Sequence, residues 1–410
     1  EMDWTDPNIE GPEAQLSRMQ PFSDVDVLDF TQEVSGPHCT QLLAMLGANV
    51  VKVEPPDGSR TRKHWMDAFA SFNLGGKQSL SIDLKTKEGK QIVRELAEKS
   101  DVIVENFRPG VLEKFDLDYE SVSETNEEIV YCSISGFGQN GPYRDYPAYD
   151  PIAQALGGVI SQTGYPDRPP VRIGASFIDC GTAVYGAFFI ASALLDRERT
   201  GEGHYLDTSL FDTVVSWMAY SIAGYDRTGE VPERRGTGNN VTDRIYGTKD
   251  DEFVYVKAIT QAQYERMCDV FDRPDLIEDE RFATAEAREE HSDALESELA
   301  AEFESHTVDD VSSLLANVNV PAGAVQSVDD LVDSDPHVAE REMLEQSLDP
   351  VENEEVTTAT LPLRTEDGKV EFDLHPPSHG EHNQEILSEL GYSDEQIEDL
   401  QEKRIVRDSD

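Results

Sequence analysis

The chain has 410 residues, 38% of them hydrophobic, with 83 acidic against 34 basic side chains and a net charge of −49. That length exceeds what one hydrophobic core supports, so two domains are expected. The charge excludes nucleic acid and anionic membrane surfaces as partners, and no run nears the roughly 18 apolar residues of a membrane helix.

Residues 1–20 are polar, acidic and proline-containing, without a basic-then-apolar leader, and read as a flexible arm. Val25–Phe30 is a short apolar strand. Gly36-Pro37 opens a helix running through Ala44, which Gly47 can close, since proline suits a first helical turn and glycine an end. Asn49–Glu54 is the next strand. Glu88–Lys99 places Ile92, Val93, Leu96 and Ala97 on one helical face. Asp101–Val104 is a strand, Asn106 to Gly110 a sharp turn, and Glu128–Ser133 another strand. Strand–helix–strand units of this length predict an α/β, Rossmann-like domain with a parallel sheet.

Gly136–Pro147 is rich in turns. Tyr149–Gly158 reads as a short helix, Ile173–Ile178 as a strand-like run, and Asp179–Arg197 as a long apolar helix. Gly201–Thr208 is a turn and strand. Beyond residue 226 the pattern changes. Arg234–Asn240 is a loop, Phe253–Lys257 a strand, Gln261–Phe271 and Ala285–His306 acid-rich helices, Val308–Val318 a helix, and Ala322–Gln326 a strand. Amphipathic helices return at Asn383–Leu390 and Ser393–Lys403. The predicted organisation is an arm (1–20), a large domain (21–225), a smaller α+β domain (226–335), and a linker and C-terminal segment (336–410) that returns to the large domain.

A folded chain with this much self-repulsion needs screening, and molar salt shortens the Debye length to about 3 Å. A KCl-rich cytoplasm is the predicted setting. Cys39, Cys132, Cys180 and Cys268 are scattered without a C-x-x-C pair, which fits a reducing, cytoplasmic location. His379, Glu381, His382 and Glu385 match no metal motif, and no metal is expected. One segment stands apart: Lys52 to Lys114 holds 12 bases against 10 acids. A bound phosphate and local ion pairing explain that equally well, and no dinucleotide or P-loop motif follows a strand here.

Asp179 stands where the apolar run meets the long helix, beside Ala175, Cys180 and Gly181. A carboxylate there can cap free amides and gain from the helix dipole. The same placement suits a nucleophile that forms a covalent intermediate. The local residues leave both roles open.

Several stretches, taken in order, resemble the class III CoA-transferase family, which includes formyl-CoA and carnitine CoA-transferases. They are Val27-Leu28-Asp29-Phe30-Thr31 with Leu46-Gly47-Ala48-Asn49 through Pro56; Ile82-Asp83-Leu84-Lys85; Asp101 through Val111 around Asn106-Phe107-Arg108-Pro109-Gly110; Ser133 through Gln139 with Gly141-Pro142-Tyr143; Tyr149-Asp150 with Gln154-Ala155; and Gly380-Glu381-His382-Asn383 with Leu390-Gly391-Tyr392. The resemblance implies that Asp179 is the nucleophile. It implies CoA contacts at Val34, Ser35, Asn106, Phe107, Val111 and Lys114, with Tyr149 lining the site. Pro55 replaces a base that some members use near the adenine, and Arg60 or Arg62 can compensate. Coenzyme A thioesters are then substrates, with no permanently bound cofactor.

The implied mechanism passes through an anhydride and an aspartyl-CoA thioester, with backbone amides at the start of the Asp179 helix as oxyanion donors. Gly236-Thr237-Gly238 is a candidate shielding loop. The implied assembly is an interlocked homodimer. With the salt signature, the implied donor and acceptor are succinyl-CoA and mesaconate, and Arg144, Arg172 and His38 are candidates for a distal carboxylate. Acyl-CoA racemases share the fold but carry histidine at the Tyr149 place; tyrosine, with an ordinary pKa near 10, is a poor base for an α-proton. A CoA-thioester-binding protein without chemistry is the non-enzymatic alternative.

Overall fold

The computed structural model describes residues 19–60, 62, 75–348, 354–365, 368–370, 372 and 375–408. The predicted arm, 1–20, lies outside these but for Met19 and Gln20. The chain divides into two compact units. The first comprises Glu1–Val159, Ile173–Arg227 and His337–Asp410, and the second Ile160–Arg172 and Thr228–Pro336.

In chain order the first unit begins with β1 (Asp26–Asp29), α1 (Ser35–Met45), β2 (Asn49–Glu54), β3 (Gln78–Ser81), α2 (Lys87–Lys99), β4 (Val102–Glu105) and β5 (Val130–Ser135). It continues with α3 (Asp150–Leu156), α4 (Phe177–Thr200), β6 (His204–Ser209) and α5 (Leu210–Trp217). The six strands form one parallel sheet in the order β3-β2-β1-β4-β5-β6. Alternate residues of the central strands supply two cores, as the two-residue period of a strand requires. Val27, Val50, Val102, Val104 and Cys132 face α1 and α4; Leu28, Val51, Ile103 and Tyr131 face α2.

The C-terminal helices α6 (Asn383–Glu389) and α7 (Asp394–Glu402) complete the second of these cores with Ile386, Leu387, Ile397, Leu400, Ile405 and Val406. The return is stitched to β3: the Ser81 amide donates to the Asn383 side chain at 2.8 Å, the Ser79 amide to His382 Nδ1 at 3.2 Å, and Ile82 bridges Val406. His379 hydrogen-bonds the Pro55 carbonyl.

α4 is longer than predicted, 24 residues, and an 18-residue stretch of it has a mean hydropathy of 1.6, long and apolar enough by composition to cross a membrane. It lies instead against α1 and the sheet, burying Ala183, Ile190, Ala193 and Leu194 in their shared core. The expected Ile173–Ile178 strand is not one. Its Ile173 amide bonds the Gln154 side chain rather than a neighbouring strand, and the helix already starts at Phe177. Gly181 does not keep the surroundings of Asp179 open; a Cβ there would lie 1.9 Å from the Trp217 indole, so glycine lets α5 pack close.

Part of the positive segment is committed to internal pairing. Asp29, fully buried, takes Lys52 at 3.1 Å, Lys77 at 3.0 Å, and the hydroxyls of Thr31 and Thr40. Burial alone would raise its pKa, but the two ammonium groups and two hydroxyls outweigh it and hold the carboxyl well below its usual range. Burial pushes Lys77 down to about 8 despite Asp29. Arg62 forks onto Glu54 at 2.9 and 3.0 Å.

The second unit holds a four-stranded antiparallel sheet of Gly238–Asn240, Asp243–Gly247, Phe253–Lys257 and Ala322–Ala324 over helices that include Gln261–Val270, Ser292–Phe303 and Val308–Asn317. The predicted Ala285–His306 helix breaks at His291, whose carbonyl starts a new helix. The end of the predicted 234–240 loop is the edge strand. Residues 160–172 group with this unit rather than the large domain, because Gly236 donates to the Gly164 carbonyl and Arg234 to the carbonyls of Tyr165, Pro166 and Arg168.

Candidate active site

The chain runs β1, β2, β3 to one side of the sheet and returns to lay β4, β5, β6 on the other. Ligand sites of open α/β sheets form where the order reverses, at the strands' carboxyl ends. There, the turns after β1 (Gln32–Ser35), β4 (Asn106–Pro109) and β5 (Ser135–Gly136) surround a cleft of about 330 Å³ that also holds Tyr149 and Asp179. The β1 and β4 turns are locked together: the Gln32 amide donates to Asn106 Oδ1 at 2.7 Å, and Asn106 Nδ2 returns a bond to the Gln32 carbonyl at 2.6 Å.

Asp179 sits in the first turn of α4 and is half-buried. Its carboxyl is pushed up to about 7, first by burial and then by the charges of Asp150 and Glu33, while the Ser35 hydroxyl hydrogen-bonds it and works the other way. The helix's own preceding residue, Ser176, makes no side-chain cap. The cap comes from α3. Asp150, 3% exposed, accepts from the amides of Ile178 at 2.7 Å and Asp179 at 3.1 Å, and Gln154 bonds its other oxygen. Two of the amides expected to serve as oxyanion donors are therefore already taken.

Of the residues singled out from sequence, Ser35, Asn106, Phe107, Tyr149 and Asp179 share the cleft. Val111 lines an adjoining cavity of about 220 Å³. Val34 precedes α1, its carbonyl accepting from His38, and the Lys114 carbonyl accepts from Lys90; neither lines the cleft. Burial pushes His38 down to about 4, so at neutral pH it is no cation for a carboxylate. Arg172 belongs to the second unit. Arg144 does line the cleft, on a turn where Tyr143 and Tyr146 pack with Phe137, itself beside Phe211. Of the two candidate cations near Pro55, Arg62 is occupied by Glu54, while Arg60 lines the cleft and meets Glu33 at 3.3 Å.

Sequence reasoning missed the roles of Asp150, Gln154, Glu33, Arg108 and Glu105. Glu105, at the end of β4, is buried with its carboxyl pushed up to about 7 by desolvation, while Ser133 and the Phe107 amide hydrogen-bond it. A carboxylate followed at i+4 by glutamine was visible at Asp150, but its partner amides lie 28 and 29 residues further on.

A desolvated carboxyl at a helix start, in a cleft at the switch point of a parallel sheet, puts this chain among α/β proteins with a ligand site at the sheet's carboxyl edge. Comparison with known proteins names the class. The family model described as CoA-transferase family III matches residues 22–383, and the chain belongs to that family: it is a CoA-transferase. It is 35% identical to the succinyl-CoA–D-citramalate CoA-transferase of Chloroflexus aurantiacus, over 94% of this chain and 98% of that protein. It is 38% identical to the succinyl-CoA:mesaconate CoA-transferase of Haloarcula hispanica, over 91% of this chain and 97% of that one. Among solved structures, a CAIB/BAIF family protein from Brucella suis superposes with a TM-score of 0.83 at 33% identity, covering 91% of this chain and all of that one.

Proposed function

We propose that this enzyme moves coenzyme A from succinyl-CoA to a second small carboxylic acid, mesaconate being the favoured acceptor, through covalent intermediates on Asp179. The observation that carries the reading is the Asp179 carboxyl itself, half-buried, hydrogen-bonded by the Ser35 hydroxyl, and lining the cleft. Its carboxylate attacks the thioester carbonyl and expels CoA thiolate, leaving a mixed anhydride. The thiolate attacks the aspartyl carbonyl and releases the donor acid, giving the aspartyl-CoA thioester. The acceptor carboxylate then repeats the sequence in reverse. One thioester is exchanged for another, so the chemistry calls for no energy input.

With the Ile178 and Asp179 amides taken by Asp150, the first turn of α1 supplies the oxyanion donors; it has no side-chain cap, and Ser35 lines the cleft. Asn106 and Phe107 wall the CoA side, with Val34, Val111 and Lys114 further along the same thioester's path. Tyr149, 54% exposed beside Asp179, stands where a racemase of this fold needs a base, which favours transfer.

The names of relatives supply the acids, and the net charge of −49 supports a KCl-rich cytoplasm. The reading includes a homodimer whose chains interlock. Val184, Phe188 and Leu195 along α4, each more than half exposed, form an apolar face that such a partner would cover.

The test is chromatographic. The protein is incubated in molar KCl with succinyl-CoA and a panel of carboxylates including mesaconate, and every CoA thioester is followed. A new thioester that matches one acceptor and is lost in Asp179→Ala supports the reading. Binding of acyl-CoA with no new thioester from any acid overturns it.

A further inference from the structure

Asp150 presents a puzzle that the proposed chemistry does not absorb. It caps α4 from another element, and a serine, threonine or asparagine serves a cap as well as an aspartate does. Here the cap is a carboxylate, 3% exposed, and its Oδ2 accepts the amide of Asp179 itself at 3.1 Å. Two carboxylates in one site repel, so a cap chosen for stability alone avoids this arrangement. Gln154 holds the arrangement in place: its Nε2 donates to Asp150 Oδ1 while its Oε1 accepts the Ile173 amide at 2.9 Å, tying both sides of the segment that leads into α4. Asp150, Gln154 and Ile178 are all buried, so no rotation relieves the repulsion.

We propose that Asp150 is a positioning residue that also drives acylation of the nucleophile: it fixes the first turn of α4 through the Ile178 and Asp179 amides, and its fixed charge destabilises the free Asp179 carboxylate relative to the acylated forms. This rests on Asp179 being the nucleophile. The charge balance gives the reason. Asp179 carboxylate plus a thioester gives a neutral anhydride and CoA thiolate; the thiolate then forms the aspartyl-CoA thioester as the donor carboxylate leaves. The negative charge that entered as Asp179 departs on the released acid, and the repulsion from Asp150 departs with it. Ground-state strain relieved along the reaction accelerates it. Asp179 shares its surroundings with Asp150 from α3, Glu33 and Ser35 from the β1–α1 turn, and Cys180 from its own helix; Arg60, Arg108, Arg144 and Tyr149 line the same cleft. Burial and the two carboxylates outweigh the Ser35 hydrogen bond at Asp179, whose carboxyl is pushed up to about 7.

The experiment separates charge from geometry in the full-length enzyme with succinyl-CoA. Asp150→Asn keeps an oxygen for both amides and removes the charge; Asp150→Glu keeps the charge and shifts it by a methylene. Mass spectrometry measures the fraction of enzyme carrying CoA on Asp179, and kcat/KM is measured against pH. For Asp150→Asn the expected result is about a tenfold lower covalent fraction at pH 8 and a pH midpoint moved toward acid by about one pH unit. For Asp150→Glu, kcat falls about 100-fold with the midpoint kept near that of the parent enzyme. Glu33→Gln, which leaves the cap untouched, moves the midpoint in the same direction by less, and reports on the electrostatics even if Asp150 variants fail to fold. An unchanged covalent fraction and midpoint in Asp150→Asn, or in Glu33→Gln should the former not fold, overturns the proposal. If the parent enzyme forms no covalent species with any acyl-CoA, the nucleophile reading falls instead.

Discussion

Asp179→Asn separates a structural carboxylate from a reactive one by the sign of its effect on stability. A carboxylate that merely favours the positive end of a helix stabilises it by about 0.3–1 kcal/mol, so its loss destabilises. Asp179 is held differently. Burial and the neighbouring Asp150 and Glu33 raise it from 3.8 to about 7. At 1.36 kcal/mol for each tenfold change in proton affinity, the charged form costs the fold on the order of 4 kcal/mol, and about 2 once the half-exposure of the group is allowed for. Because the folded-state value is raised, stability is greatest below the unfolded value near 4 and is lost as pH rises through about 7. Asparagine removes that loss. The variant is expected to match its parent near pH 4, gain steadily to pH 7, and hold a gain of about 2 kcal/mol above it. For a chain this long that is about 2 °C in Tm. Thermal unfolding at pH 5 and pH 8 in molar KCl checks this. A variant less stable than its parent at both pH values refutes the reasoning and returns Asp179 to the role of a helix-end carboxylate.

Arg144→Gln is expected to raise KM for dicarboxylic acceptors about 10- to 100-fold, the worth of a charged hydrogen bond, and to leave monocarboxylic acceptors nearly unchanged; initial rates across an acceptor panel decide it. Asp29→Asn strands Lys52 and Lys77 in the core and is expected to cost about 3–5 kcal/mol, measured by denaturant unfolding. With −49 charges to screen, Tm is expected to rise steeply between 0.1 M and 2 M KCl; a flat profile refutes the halophilic reading.

The parallel sheet was readable because β1, β2, β4 and β5 are short apolar runs separated by turns and amphipathic helices, and β2 and Phe253–Lys257 fall at their predicted limits. β3 was not, since Gln78-Ser79-Leu80-Ser81 has one apolar residue in four; it is a strand because β2 and the returning C-terminal segment pair with it. Asp179 was readable as a carboxylate near a helix start. What was not readable is whatever depends on residues distant in sequence: the capping of its helix by Asp150, the consumption of Lys52, Lys77 and Arg62 by internal carboxylates, and the filling of the space at Gly181 by Trp217. Positive charge in a segment and small residues beside a carboxylate do not say in sequence what they face; the tertiary contacts show Lys52, Lys77 and Arg62 turned inward and the space at Gly181 filled.

The docking of Asn383 onto Ser81, 302 residues earlier, sets a schedule for biosynthesis. At roughly 5–20 residues per second a ribosome needs about 15–60 s to travel from one to the other. Throughout that interval the face of β3 and α2 that Ile386, Leu387, Ile397 and Leu400 will cover has no lid. The nascent chain must keep that apolar surface from other chains while the intervening unit is made, so exposure to aggregation is set by the order of the chain rather than by the stability of the finished fold.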